Sequence, residues 1–317
     1  MIWNRNAIRE LEGKLSNWGR WGKDDESGTV NYVTPEMVIR AASLVIKGKV
    51  FSLSIPFDAS GPQIWNRGGR FNPIHLMLRS GSDLISSKVS NIPVREFADD
   101  IIIMPLQSAT QWDGLSHGFD LDAKMYNGYD ASLVDSFGAN RNGIQNYKNR
   151  IVGRGILLDI ARSKNMNWLK PGYGITPQDL NECATEEHVI VGEGDFVLIR
   201  TGQLAAIKAR GNWGDYVGGS APGLTLETLE WIFEKKIAGI ATDTWGVEVR
   251  PNQTEELSQP WHKVAIPSIG LLVGEIFDLE EIAQDCAHDN VYEFEFIAPI
   301  IPFTNAVGSP VNPIAIK

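Results

Sequence analysis

Gln107, Gln111, Asp113 and His117 lie together in one short segment, QSATQWDGLSH. All four numbers are odd, and successive side chains of an extended backbone point to opposite sides, so a β segment would present the four on one face. Amide and carboxylate oxygens are ligands for a divalent cation, and an imidazole beside them is suited to moving a proton from a water held there. Gly114 allows the chain to bend and bring His117 back toward Asp113. The four-residue spacing of Asp113 and His117 also fits a pair on a helix surface, and glutamines at strand ends usually meet solvent. A second histidine and a further carboxylate come later, in Pro260-Trp261-His262 and Leu272-Val273-Gly274-Glu275. An acid closing the apolar run SIGLLVG must be paired or exposed, because an unpaired buried carboxylate is costly. Glu275 equally fits the start of a helix continuing FDLEEIA, and His262 a hydrogen-bonded loop histidine.

Other side chains are candidates for holding a substrate. Trp65, Arg67, Arg70 and Phe71 share a loop rich in glycine, His75 follows in FNPIHLM, Trp112 lies inside the motif and Tyr126 stands in KMYNG. Such a loop suits a flat, anionic small molecule. Acidic residues outnumber basic ones 39 to 29, for a net charge of −10. A long-range field of that sign repels anions, so an anionic substrate needs local positive charge. No block of lysine and arginine offers the footprint that nucleic acid requires. Cys183 and Cys286 are isolated, which excludes a disulfide framework and a thiolate zinc cluster. The N-terminus MIWNRNAIRELEGK is charged where a secretion signal needs an apolar core, and no run approaches the roughly 18 apolar residues of a membrane span. A soluble cytoplasmic protein without a membrane partner is expected. His188 and His288 read as exposed.

The elements that must position these residues alternate. Thr34-Pro35-Glu36 caps a helix over MVIRAASLVIKGK, preceded by a loop and stopped at Gly48. Strands are expected at Val50–Ile55, within the apolar run Ile101–Leu106, and at Gly155–Asp159, Asp195–Thr201, Ala238–Asp243 and Ser268–Val273. Helices are expected at Pro177–Ala184, Leu204–Arg210, Thr225–Lys236 and Leu279–Asp285. Short strands apolar on both faces, alternating with helices, indicate an α/β fold. Neither G-x-G-x-x-G nor G-x-x-x-x-G-K-[ST] is present, so nucleotide-binding fingerprints are missing. With no repeat and no long linker, residues 1–317 read as one domain with an N-terminal arm and helix over 1–50.

Gln107–His117 resembles the H-x-G-T-H-x-D-x-P-x-H signature of the metal-dependent cyclase and bacterial kynurenine formamidase family. RGILLD (154–159), DFVLIRTG (195–202), Asp243-Thr244 and the stretch from His262 to Glu275 resemble that family's further landmarks in the same order. WGKDDESGTVN and APGLT resemble its longer branch, which includes trans-dienelactone hydrolases. The resemblance implies a swivelling β/β/α domain, with a mixed sheet or small barrel flanked by helices. It implies one divalent metal, Mn²⁺ or Zn²⁺, held by Gln107, Gln111, Asp113, His262 and Glu275, with His117 as acid and base. It also implies hydrolysis of a lactone, a cyclic amide or a related carbonyl bond, trans-dienelactone hydrolase-like activity being favoured over an aryl formamide or an isatin-type ring. A homo-oligomer, dimer or tetramer, in which the N-terminal segment makes contacts is a further implication. Among the departures from the signature, glutamine replaces histidine at 107 and 111, and Leu115 replaces proline. Glutamine oxygen is a weaker, harder donor than imidazole nitrogen, so the site favours Mn²⁺ more than a histidine-rich one would. A site too weak to hold metal, or a non-catalytic binder or cyclase, are the competing expectations.

Overall fold

The computed structural model describes residues 3–64, 67–90 and 96–317. Its centre is a sheet of nine strands, curled into a half-barrel and flanked by helices. In chain order these are β1 (Val50–Ser52), β2 (Gln111–Asp113), β3 (Val152–Asp159), β4 (Phe196–Arg200), β5 (Gly239–Thr242), β6 (Leu272–Glu275), β7 (Glu293–Ile297), β8 (Gly308–Pro310) and β9 (Ile314–Ile316). In space they run β1-β9-β7-β3-β4-β5-β6-β2-β8. The four strands β3 to β6 are parallel, and the neighbours on both sides are antiparallel. Every residue of β4, β5 and β6 is buried, which accounts for their near-continuous apolar sequences.

Helices at Pro177–Glu186, Gln203–Arg210, Thr228–Lys235 and Glu280–Asp289 agree with the expected periodicity. Thr176 makes a reciprocal capping box with Asp179, with Pro177 at the first helical position. Each of the four parallel strands carries a charged side chain at or just past its C-terminal end: Asp159, Arg200, Asp243 and Glu275. In open α/β sheets this edge is where ligands bind.

Five local expectations change. The helix capped by Thr34 spans Pro35–Ala42 and stops well short of Gly48. Arg5–Lys14 is a helix rather than a loop: Asn4 accepts the Ala7 amide, and Ile8 and Leu11 turn inward at helical spacing. The strand expected at Val50–Ile55 ends at Ser52, leaving only a single bridge between Ser54 and Phe277. Ile101–Ile103 is a strand, but an exposed one, paired with Ile74–Arg79 in a two-stranded hairpin outside the main sheet. The strand expected from Ser268 begins only at Leu272, because Ala265–Ile269 forms a π-helical turn. Pro267 in that turn has no amide to donate. Gly270 ends the turn at φ +72°, where a Cβ would overlap the Tyr126 ring.

Candidate metal centre

Strand β2 lies between β6 and β8, with Gln111 opposite Glu275 and Asp113 opposite Val273 and Gly308. Alternation then puts Gln111, Asp113 and Glu275 on one face of the sheet and Trp112 on the other. The Gln111 amide nitrogen donates to Glu275 Oε2 at 2.9 Å and to Asp113 Oδ1 at 3.3 Å. His262 approaches from a short helix, His262–Val264, whose continuation is the π-helical turn. His262 Nε2 lies 3.3 Å from Glu275 Oε1, without the geometry of a hydrogen bond. One ligand atom from each of Asp113, His262 and Glu275 falls within 4.8 Å of the other two, and all three residues are buried.

Glu248 holds the imidazole from behind. Its carboxylate accepts from the Trp261 and His262 amides at 3.2 and 3.3 Å, and Oε1 lies 2.6 Å from His262 Nδ1. Nε2 is thereby turned toward Asp113 and Glu275, the role that carboxylates behind metal-ligating histidines play. Sequence reading missed Glu248. Its one signal is an acid between two valines in GVEV, which burial would force into a partnership.

The electrostatics are those of crowded buried acids. Burial and the Asp113 carboxylate raise the Glu275 carboxyl to about 7 against the opposing pull of His262. Burial alone would depress His262, but Glu248 and Glu275 outweigh it and lift the imidazole to about 10. A proton on His262 thus does part of the work that a cation would do. His117 behaves differently: burial lowers it below the ordinary imidazole range, Arg70 and His262 add to that, and only Asp113 opposes.

Three observations fit the cluster to a divalent cation. Asp113, His262 and Glu275 supply carboxylate and imidazole donors at mutual ligand spacing. Gln111 Oε1 and His262 Nε2 are buried without a hydrogen-bond partner, although unpaired buried polar atoms are costly. Beside them the Gln107 amide nitrogen is also buried and unpartnered, and it occupies the space that a Cβ on Gly308 would need, 2.6 Å away. Because Gly308 faces Asp113 across the ladder, Gln107 packs alongside the cluster. Exchanging the O and N of either glutamine amide would turn an oxygen donor toward the acids.

The common face expected for residues 107–117 forms by another route. Only Gln111–Asp113 is strand. A turn in which Ser108 bonds Pro105 O leads to Gln107, and another in which His117 bonds Gly114 O returns His117, whose Nε2 lies 3.7 Å from Asp113 Oδ1. Gly114 does not supply a special backbone angle there. A Cβ on it would meet Val307 O at 3.0 Å, so the glycine permits close approach of a neighbouring chain segment.

His117, His262, Glu275, Arg70, Trp245 and Lys263 line a cavity of about 180 Å³ beside the cluster. Among the described residues, Arg70 is the one member of the expected substrate set that reaches it. Trp112 does not: it is fully buried on the far face, against Phe277 and Phe296, and donates to Ala298 O. Tyr126 is also a packing residue, buried against Gly270 with its hydroxyl donating to Asp25. His75 stands exposed on the outer hairpin, 2.8 Å from Asp100. Phe71 is exposed and does not line the cavity. Trp65 lies outside the described residues. The cysteines are buried and unbridged, and no helix among the described residues is long and apolar enough to cross a membrane.

The sheet with its buried acid and histidine cluster defines the class. The sequence model of the Cyclase family matches residues 51–249, and the chain belongs to that family. Among solved structures, one described as a novel cyclase is 39% identical, with a TM-score of 0.86 over 96% of this chain and 99% of that one. Isatin hydrolase A from Labrenzia aggregata, solved with benzyl benzoate, is 18% identical with a TM-score of 0.62, covering 87% of this chain and 94% of that one. Isatin hydrolase A from Ralstonia solanacearum is 14% identical with a TM-score of 0.60, covering 85% and 92%. These last two share the fold. None of the curated proteins matches the chain.

Proposed function

We propose that this protein is a metal-dependent hydrolase that opens a lactone or cyclic amide. The observation carrying the proposal is the buried Asp113–His262–Glu275 cluster with unpartnered donor atoms, set beside a cavity that His117 also lines. A divalent cation held by these three residues, with Gln111 and Gln107 as further oxygen donors, would supply Lewis acidity toward the carbonyl and acidify water. The oxygen-rich donor set makes Mn²⁺ competitive with Zn²⁺. The kinship of fold with isatin hydrolases supports a small ring substrate, and trans-dienelactone-type rings belong to the same chemistry.

Neutral His117 is the base. It takes a proton from the attacking water as the water oxygen bonds to the ring carbonyl carbon. The ring C–O or C–N bond then breaks, and His117 returns the proton to the departing oxygen or nitrogen, leaving a hydroxy or amino carboxylic acid. Asp113, 3.7 Å from His117 Nε2, stabilises the cationic imidazole in between.

Replacing His117→Ala tests the assignment. Turnover should fall about 10²- to 10⁴-fold while metal content stays at the wild-type level. Full turnover in the variant would remove His117 from the mechanism. Because burial holds its imidazole low, the acid limb of the rate should lie below the pH at which a free imidazole titrates. An acid limb at or above that pH would contradict the role of His117 as the base.

A further inference from the structure

Arg70 and Lys263 both line the cavity. Several other cations of the chain are paired: Arg200 with Asp159 and Glu280, Arg154 with Glu293, Lys164 with Asp179 and Glu182, and even exposed Lys14 with Glu230 and Lys236 with Glu193. Arg70 and Lys263 are different. Among the described residues neither has a carboxylate within ion-pair distance, and the guanidinium of Arg70 makes one long contact, 3.4 Å to the carbonyl of Gln107. Both are half-buried. In a protein of net charge −10, two half-buried cations with no carboxylate at ion-pair distance beside one cavity are an unbalanced arrangement, since partial burial raises the cost of each unpaired charge; Arg70 feels Glu275 only at longer range.

The two cations come from separate parts of the chain. Arg70 enters from the loop preceding the outer hairpin, and Lys263 follows His262 directly. Trp245 and Phe119 add aromatic surface to the same cavity, which suits a flat ring. Resting on the hydrolase reading of this site, we propose that Arg70 and Lys263 form an anion clamp, and that the substrate is a flat lactone or cyclic amide bearing a carboxylate. The guanidinium would take the carboxylate oxygens in parallel, and the ammonium would add a point charge. The reacting carbonyl would then lie toward His117 and the acid cluster. The expected arrangement also resolves the repulsion that the overall charge imposes on an anionic substrate.

The test compares 2-pyrone with 2-pyrone-5-carboxylate, using the full chain, with binding read by calorimetry and ring opening read by absorbance. The wild type should bind the carboxylate at least about tenfold more tightly than the neutral ring, an advantage that shrinks with added salt. Lys263→Met and Arg70→Met should each lose most of that advantage, weakening the carboxylate much more than neutral 2-pyrone, while Lys263→Arg should restore it. Circular dichroism and melting of the variants establish that they fold. Equal binding of the two rings by the wild type, no binding of either, or a preference that survives both methionine variants would overturn the clamp. Preferential binding without ring opening of either compound, with or without added Mn²⁺ or Zn²⁺, would leave the clamp standing and count against the hydrolase.

Discussion

Two clusters of buried charge share the C-terminal edge of the parallel strands, and they are built on opposite principles. At the ends of β3 and β4, Arg200 gives every arm to a partner: Nε and Nη2 to Glu280, Nη1 to Asp159 at 2.8 Å and Nη2 also to Asn167 O. Asp159 in turn accepts from the amide and Nε of Arg162. At β6 and β2, Asp113, Glu275 and His262 are as deeply buried but leave Gln111 Oε1 and His262 Nε2 without a hydrogen bond. A saturated network fixes a fold, whereas an unsaturated one is shaped for a ligand. Depth of burial and strand position do not tell the Arg200–Asp159 pair from the Asp113–His262–Glu275 cluster; the unbonded atoms of Gln111 and His262 do, although Glu187 and Asp243 beside the pair each leave one carboxylate oxygen unbonded.

The contrast can be broken by exchanging roles. Asp159→Asn should cost about 1.5–3 kcal/mol of stability, since Arg200 loses one of its two carboxylate partners and keeps Glu280. Chemical denaturation would show this, and activity per folded molecule should be unaltered. A stable variant with lost activity would move Asp159 into the catalytic machinery. A smaller effect is expected from Glu248→Gln, which keeps a hydrogen-bond acceptor behind His262 but removes its charge. Metal affinity should fall about 10- to 100-fold, read by competition with a chelator, with little change in melting of the metal-free protein. Unaltered affinity would show that Glu248 only packs.

The smallest effect concerns Glu187, which accepts the Asp159 amide and is raised to about 8 chiefly by burial, with added repulsion from Asp159 and Glu186. A carboxyl raised on folding binds its proton more tightly in the native state, so the stability linked to it is present at pH 4 and lost as pH climbs through 8. Glu187→Gln should flatten that part of the stability profile and stabilise the protein at pH 9 by on the order of 1–2 kcal/mol. An unchanged profile would mean that Glu187 is already ionised in the native state.

The sequence exposed the strongest parts of both fold and site. The apolar strands β3, β4 and β5 and the four later helices declare themselves through burial and period, because tertiary packing there agrees with local preference. The outer hairpin does not: Ile101–Ile103 has the composition of a core strand yet lies exposed. Ser268 and Ile269 mislead for another reason, since Pro267 and Gly270 convert a strand-like run into a π turn. At the site, Gln111 and Asp113 follow from β alternation, which also explains the error at Trp112. As the even-numbered residue between them it had to face the core. Glu248 was hidden because its partner, His262, is remote in sequence and reaches it only through the fold.

Metal content is the most direct test of the whole account. Protein purified without chelator, in wild-type form and as Asp113→Asn, should be assayed by elemental analysis and then for ring opening with added Mn²⁺ or Zn²⁺. The wild type should hold close to one divalent ion per chain, and the variant should hold almost none while melting at a similar temperature when both are stripped. Absence of metal in the wild type with no activation on adding either ion, or a full equivalent retained by the variant, would contradict the claim that the unsaturated cluster is a metal centre.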